Sequence, residues 1–220
     1  MFIYTPEPKA YLALHPPILG AYIKTTAHPS QSNPETLANS GSGVAASAMA
    51  KATGKLRRQE QDIFYHMAKD QGYRSRAAIK LHQLDTCFSF LSTARAVLDL
   101  GAAPGGWLQV AVRGATPGAF VVGVDIAPIR PIRGAISLTE DITATARCSA
   151  AVRRLMDSKG VTAFDVVLHD GAIGQKKKRK RDDGARAQEA TSQSALLIDA
   201  VRLATMFLAP KGAFITKVYI

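Results

Sequence analysis

The sequence is poor in the features that mark secreted, metal-bound and membrane proteins. It has two cysteines, Cys87 and Cys148, without C-x-x-C or zinc-type spacing. That excludes a disulfide scaffold and a cysteine metal centre, and gives the expectation of free thiols in an intracellular chain with no metal. No uninterrupted apolar run reaches the length that spans a bilayer, so no membrane role is expected. Met1–Tyr22 lacks the basic stretch ahead of an apolar run that a secretory signal needs, and is scattered with proline and histidine. Acidic residues are scarce: 17 Asp and Glu stand against 28 Lys and Arg, a net charge of +11 over 220 residues.

The positive charge is unevenly placed. Residues 1–50 carry Lys9 and Lys24 against Glu7 and Glu35 and are neutral. Lys176-Lys177-Lys178-Arg179-Lys180-Arg181 supplies six charges, and without it the remainder is still +5. Such a balance favours a polyanionic partner, and nucleic acid over an anionic membrane because no basic amphipathic helix is evident. The run itself admits three readings: a solvated insertion, a nuclear localisation signal, or a phosphate contact for RNA.

Residues 1–50 hold Pro, Ser, Thr, Ala and Gly without sustained periodicity and are expected to be disordered. Met49 followed by Ala-Lys-Ala-Thr-Gly-Lys resembles a fresh protein start, so the preceding stretch reads as an extended gene model or a targeting segment. A single domain is expected over 51–220, with a basic insertion at 174–190. Ile63, Met67, Ala78, Leu81, Leu84 and Phe88 fit helical spacing. Strands are then predicted at Ala96–Leu100, Ala119–Asp125, Ala135–Leu138, Phe164–His169 and Gly212–Tyr219. Helices are predicted between them at Leu108–Arg113, Arg147–Asp157 and Thr191–Leu208, the last with the stripe Leu197, Val201, Ala204 and Leu208. This alternation predicts an α/β fold: a Rossmann-like parallel sheet with helices on both faces and a ligand site at the strands' C-terminal ends.

The chemistry-bearing residues gather at those ends. The run Val97 to Leu100 breaks into Gly101-Ala102-Ala103-Pro104-Gly105-Gly106-Trp107. A strand, a glycine turn and a helix in succession bring backbone N–H groups close to a nucleotide-like ligand. The turn lacks the G-x-G-x-x-G spacing, which weakens an NAD-type oxidoreductase reading. Asp125 ends the second predicted strand, where an acid accepts hydrogen bonds from ribose hydroxyls. Glu140-Asp141 follows the third, where a carboxylate can meet an adenine amino group, and Asp170 ends the fourth. His169 reads as a strand-end residue rather than a ligand, and Trp107 as core or as packing beside a cofactor. Lys217, inside an apolar β-pattern, and Lys80, inside an apolar helix, read either as snorkelling surface residues or as a lysine pair around a ribose hydroxyl.

Asp-x-Gly-x-x-Pro-Gly-Gly-Trp from Asp99 resembles the first motif of S-adenosylmethionine (SAM) methyltransferases. Lys80, Asp170 and Lys217, with Tyr73-Arg74-Ser75-Arg76-Ala77-Ala78-Ile79-Lys80-Leu81, resemble the FtsJ/RrmJ-type ribose 2′-O-methyltransferases. Gly123–Pro131, Glu140–Thr143 and Val167–Ala172 are similar to the eukaryotic nucleolar branch, which modifies large-subunit pre-rRNA. The resemblance runs from about Gly54 onward. It implies SAM as cofactor, held by Gly105, Trp107, Asp125, Asp141 and Asp170, with Lys217 as proton acceptor and Lys80 and Asp170 around it. It also implies RNA in a pre-ribosomal particle as partner, a nucleolar location, and, on the family's other branches, tRNA as the alternative substrate. Two departures stand out. Asp170-Gly171-Ala172-Ile173-Gly174 replaces the family's D-G-A-P-N, and the family's catalytic glutamate on a later strand is missing. The expectation is therefore a domain whose last strands are missing, with an unpaired edge at Gly212–Ile220 and weak or no activity; a catalytically dead RNA-binding assembly factor is the rival reading.

Overall fold

A computed structural model describes residues 63–171 and 183–219, together with two short strands at 9–14 and 22–23. In chain order these are β1 (Lys9–Leu14), β2 (Tyr22–Ile23), α1 (63–70), α2 (Ala77–Phe88), β3 (Ala96–Leu100), α3 (Gly106–Gly114), β4 (Phe120–Asp125), β5 (Ala135–Thr139), α4 (Thr145–Lys159), β6 (Phe164–His169), α5 (Asp183–Phe207) and β7 (Leu208–Tyr219). The strands form one sheet in the order β2-β1-β7-β6-β3-β4-β5. β7, β6, β3, β4 and β5 are mutually parallel, as predicted.

The apolar runs explain the architecture. Every residue of β3 is buried, because the strand is covered on both faces. Val97, Val121, Val166, Leu168 and Ile215 pack with Leu81, Trp107 and Leu108 of α2 and α3. The alternate residues Leu98, Leu100, Val122, Val124, Val167 and Phe214 pack with Val152, Met156, Ala200, Leu203 and Phe207 of α4 and α5. Truncating a side chain such as Leu98 to alanine costs about 2–5 kcal/mol at a site this enclosed. Asp165 ties the two central strands at their starts: its Oδ2 accepts the N–H groups of Arg95 at 2.7 Å and Ala96 at 3.0 Å. The chain runs outward from β3 to β5 and then returns to β6 and β7 on the other side. The resulting crevice lies beyond the C-terminal ends of β3 and β6, where a ligand is expected in such sheets.

Three expectations need correction. Within the segment 1–50, read as disordered, Lys9–Leu14 is a strand that pairs antiparallel with β7, from Lys9↔Tyr219 to Leu14↔Phe214, and Tyr22–Ile23 pairs with it in turn. The outer edge of β7, read as unpaired, is therefore covered. Ile63 and Met67 do lie on a helix, α1, as their spacing predicts, with Phe64 and Ala68 on its inward side. The buried face of α5 is Ala200, Leu203, Ala204 and Phe207, about one residue round from the predicted stripe, because the helix ends at Phe207 and Leu208 already belongs to β7. The basic run 176–181 lies outside the described residues.

Candidate active site

The rim is built on a close backbone approach. Gly101 has φ +71°, and a Cβ there would stand 2.5 Å from the Cα of Gly171, so the ends of β3 and β6 meet with no side chain between them. The amides of Gly101 and Ala102 both donate to the carbonyl of Val124, at 2.8 and 3.1 Å. Gly105, with φ +106°, caps the N-terminus of α3, and a Cβ on it would strike Ile132 at 2.8 Å. Trp107 follows in the first turn of α3. Its ring is buried and its Nε1–H donates to the carbonyl of Ala77 at 2.9 Å, which fixes the start of α2 against the start of α3.

Asp125 stands at the end of β4 and braces the loops on both sides. Its Oδ2 accepts the N–H of Ala103 at 2.9 Å and its Oδ1 the N–H of Ala127 at 2.8 Å. A carboxylate has about four acceptor positions, so two such bonds leave room for a ribose diol. Asp141 follows β5, one strand further out. Its Oδ1 accepts the N–H and the hydroxyl of Thr143, at 2.9 and 2.7 Å, and these bonds hold its carboxyl below the usual range. Neighbouring Glu140 is paired with Arg147 at 2.9 Å.

Asp170 and Lys217 are brought together. Lys217 Nζ donates to Asp170 Oδ1 in an ion pair whose side chains are 11% and 13% exposed. Lys217 shares the sheet face of Ala213 and Ile215 by strand alternation, which explains a lysine inside an apolar run. One rung earlier, His169 and Thr216 are fully buried and hydrogen-bonded, Nδ1 to Oγ1, at 2.9 Å. Burial and then the Lys217 charge push this imidazole down to about 4, so it is neutral near pH 7. Lys80 lies on α2 with its ammonium 5.5 Å from the centroid of the Phe64 ring.

One further acid lies beneath the rim, named in the sequence only as the start of the glycine-turn motif and given no role there. Asp99 is completely buried, and neither carboxyl oxygen has a hydrogen-bond partner. Burial raises its carboxyl well above the ordinary range, and the charges of Asp170 and Asp125 raise it further. An ionisable residue in the middle of the apolar run Ala96–Leu100 was the available signal. Asp99 on β3 thus feels the acids that end β4 and follow β6. Among the described residues there is no cluster of metal-ligating side chains, and no helix is long and apolar enough to cross a membrane.

A parallel sheet with a glycine turn at its switch point and acids at the strand ends places the chain in the class of Rossmann-like α/β folds. The chain belongs to the FtsJ-like methyltransferase family, whose model matches residues 73–220. It is 48% identical over 168 residues to a pre-rRNA 2'-O-ribose RNA methyltransferase, FTSJ3, of Pongo abelii. It is 46% identical over 171 residues to a pre-rRNA 2'-O-ribose RNA methyltransferase of Dictyostelium discoideum. Against the AdoMet-dependent rRNA methyltransferase spb1 of Schizosaccharomyces pombe the identity is 43% over 173 residues. These alignments cover 76%, 78% and 78% of the chain but only 18%, 19% and 20% of the relatives. A solved ribosomal RNA methyltransferase from Plasmodium falciparum shares the fold, with a TM-score of 0.56 and 24% identity, over 67% of this chain and 79% of that one.

Proposed function

We propose that this chain is the cofactor-binding and catalytic part of an RNA ribose 2′-O-methyltransferase that acts on pre-rRNA, with S-adenosylmethionine as methyl donor. The observation that carries the reading is the Lys217–Asp170 pair, set on the same rim as Asp125 and the glycine turn. The rim suits a nucleoside cofactor: Asp125 keeps acceptor positions beside the glycine turn that approaches α3. Asp125 would hold the ribose, Asp141 the adenine, and Gly105 and Trp107 the wall at the start of α3. When bound, SAM supplies an electrophilic methyl group on a sulfonium.

The chain's own residues act on the acceptor. A 2′-hydroxyl is a weak nucleophile until a base takes its proton. Lys217 is the proton acceptor and Asp170 holds its Nζ in place. A lysine accepts a proton only as the neutral amine, a form favoured by burial and by a second cation. Substrate covering the rim supplies the burial, acting against the Asp170 carboxylate, which favours the ammonium. Positioning and exclusion of water account for much of the rate in this chemistry. The net charge of +11 suits a polyanionic substrate. The relatives' names speak of pre-rRNA and rRNA; our reading goes further, to a pre-ribosomal particle as partner and the nucleolus as location.

Calorimetry tests the cofactor assignment. Asp125→Ala should weaken SAM binding about ten-fold or more, and Asp125→Asn less, since it keeps one acceptor oxygen. Equal affinity in all three proteins would overturn the assignment. Transfer of labelled methyl from SAM to unmodified pre-rRNA tests the reaction. The linkage beside a 2′-O-methyl group resists alkaline hydrolysis, so label lost to alkali-sensitive positions would exclude ribose as the acceptor.

A further inference from the structure

We propose that Arg74 is a positioning residue that latches together the two loops flanking the cofactor site, rather than a contact for RNA phosphates. The inference rests on the SAM reading above for its functional consequence, while the latch itself is geometric. Arg74 Nη1 donates to the carbonyls of Arg130 and Pro104, the latter at 3.3 Å, and Nη2 donates to the carbonyl of Pro131 at 2.8 Å. Pro104 lies in the glycine turn after β3, and Arg130 and Pro131 lie in the loop after β4. One guanidinium therefore joins the two strand-end loops from outside, while Asp125 braces them from inside through Ala103 and Ala127.

The backbone that carries the latch is itself fastened. Gln109 of α3 accepts the N–H of Arg74 at 2.7 Å and donates to the carbonyl of Gly72 at 3.0 Å. Arg113, a turn further along, donates to the carbonyl of Gln71 at 3.0 Å and lies 4.4 Å over the Tyr73 ring. Gly105 leaves the space for the guanidinium: a Cβ there would stand 3.1 Å from Arg74 Nη1. The fixed fork of arginine can reach acceptors on two loops at once. A lysine ends in one freely rotating nitrogen: it lacks the second nitrogen that reaches Pro131 and the planar geometry that aims the first at Pro104 and Arg130 together. With its donors directed at three carbonyls, Arg74 contributes little to phosphate contact, although it lies in a basic stretch.

The test uses Arg74→Lys, which keeps the charge and removes the fork. SAM affinity by calorimetry should fall about ten-fold, while RNA affinity and its salt dependence stay at the wild-type values. Unchanged SAM affinity in a protein whose wild type binds SAM would overturn the proposal, as would a flatter salt dependence. Hydrogen exchange reads the latch without reference to SAM. In wild type the amides of 102–106 and 126–133 should open as one unit, and in Arg74→Lys both should exchange faster. Independent opening of the two segments in wild type would overturn the latch even if the variant proved too unstable to assay. Wild-type protein that fails to bind SAM would refute the cofactor reading and leave the exchange result to decide the latch.

Discussion

Lys217 meets Asp170 one rung beyond the buried contact between His169 and Thr216, so two successive rungs between β6 and β7 carry four polar side chains. Strand alternation sends the first pair toward α4 and α5 and the second toward the α2–α3 side. The rung below is neutral and enclosed; the rung above is charged and partly open. The candidate catalytic pair is thus seated on a sealed polar contact rather than on a flexible loop.

Lys217→Met should lower methyl transfer by about a hundred-fold or more, the scale of a missing proton acceptor, and leave SAM affinity within about three-fold of wild type. Removing one member of a largely enclosed ion pair also destabilises the fold, by about 3–5 kcal/mol where burial is complete and less at this exposure. Combining Lys217→Met with Asp170→Asn should restore much of that stability without restoring activity. A Lys217→Met protein that retains the wild-type rate would remove the lysine from the chemistry.

Stability should depend on pH through two buried groups of opposite sign. The imidazole of His169 sits at about 4 when folded against an ordinary value of 6.5. Between those values the unfolded chain binds more protons, so stability falls as pH drops through that window, by about 3 kcal/mol in total. Asp99 is raised above 3.8. There the folded state keeps a proton that the unfolded chain releases, so stability declines as pH rises. Denaturant titrations should show a shallower acid limb in His169→Asn, and in Asp99→Asn a stability gain that grows with pH. An acid limb in His169→Asn as steep as in wild type would assign the effect to another group.

Deleting residues 1–23 should uncover β7. The deletion removes the antiparallel ladder from Lys9↔Tyr219 to Leu14↔Phe214. With each backbone hydrogen bond worth about 0.5–1.5 kcal/mol net, the thermal midpoint should fall by roughly 4 °C or more. Gel filtration should show concentration-dependent association through the opened edge. A truncated protein that melts and elutes like the full chain would show that β1 contributes nothing to the sheet.

Replacing 176–181 with Ser and Gly should flatten the salt dependence of RNA binding by about 0.7 for each phosphate that the run neutralises on a single strand. An unaltered slope would leave nuclear import or a solvated insertion, and a reporter fused to the run decides between those two.

The central strands were legible because each is an apolar run bounded by turn residues and followed by a helical pattern. α5 was read short at its N-terminus because Asp183–Ala190 is polar and offers no apolar period. β1 was missed for a different reason. Lys-Ala-Tyr-Leu-Ala-Leu is short and flanked by prolines, and its partner lies at the far end of the chain. Asp125, Asp170 and Lys217 stood out because charge at a strand end or within a strand is anomalous locally. Asp99 carries the same anomaly, but its meaning depends on Asp125 and Asp170 on neighbouring strands. Arg74 shows no anomaly at all in sequence, since its partners are backbone carbonyls that no residue type announces.

The pairing of β1 with β7 joins residues about as far apart in sequence as this chain allows. Ladders of such high contact order close late, because the loop entropy must be met before the contacts stabilise anything. In chain order Asp99, Asp125 and Asp170 all precede Lys217, so the strand that carries the countercharge is the one enclosed between β6 and the distant β1.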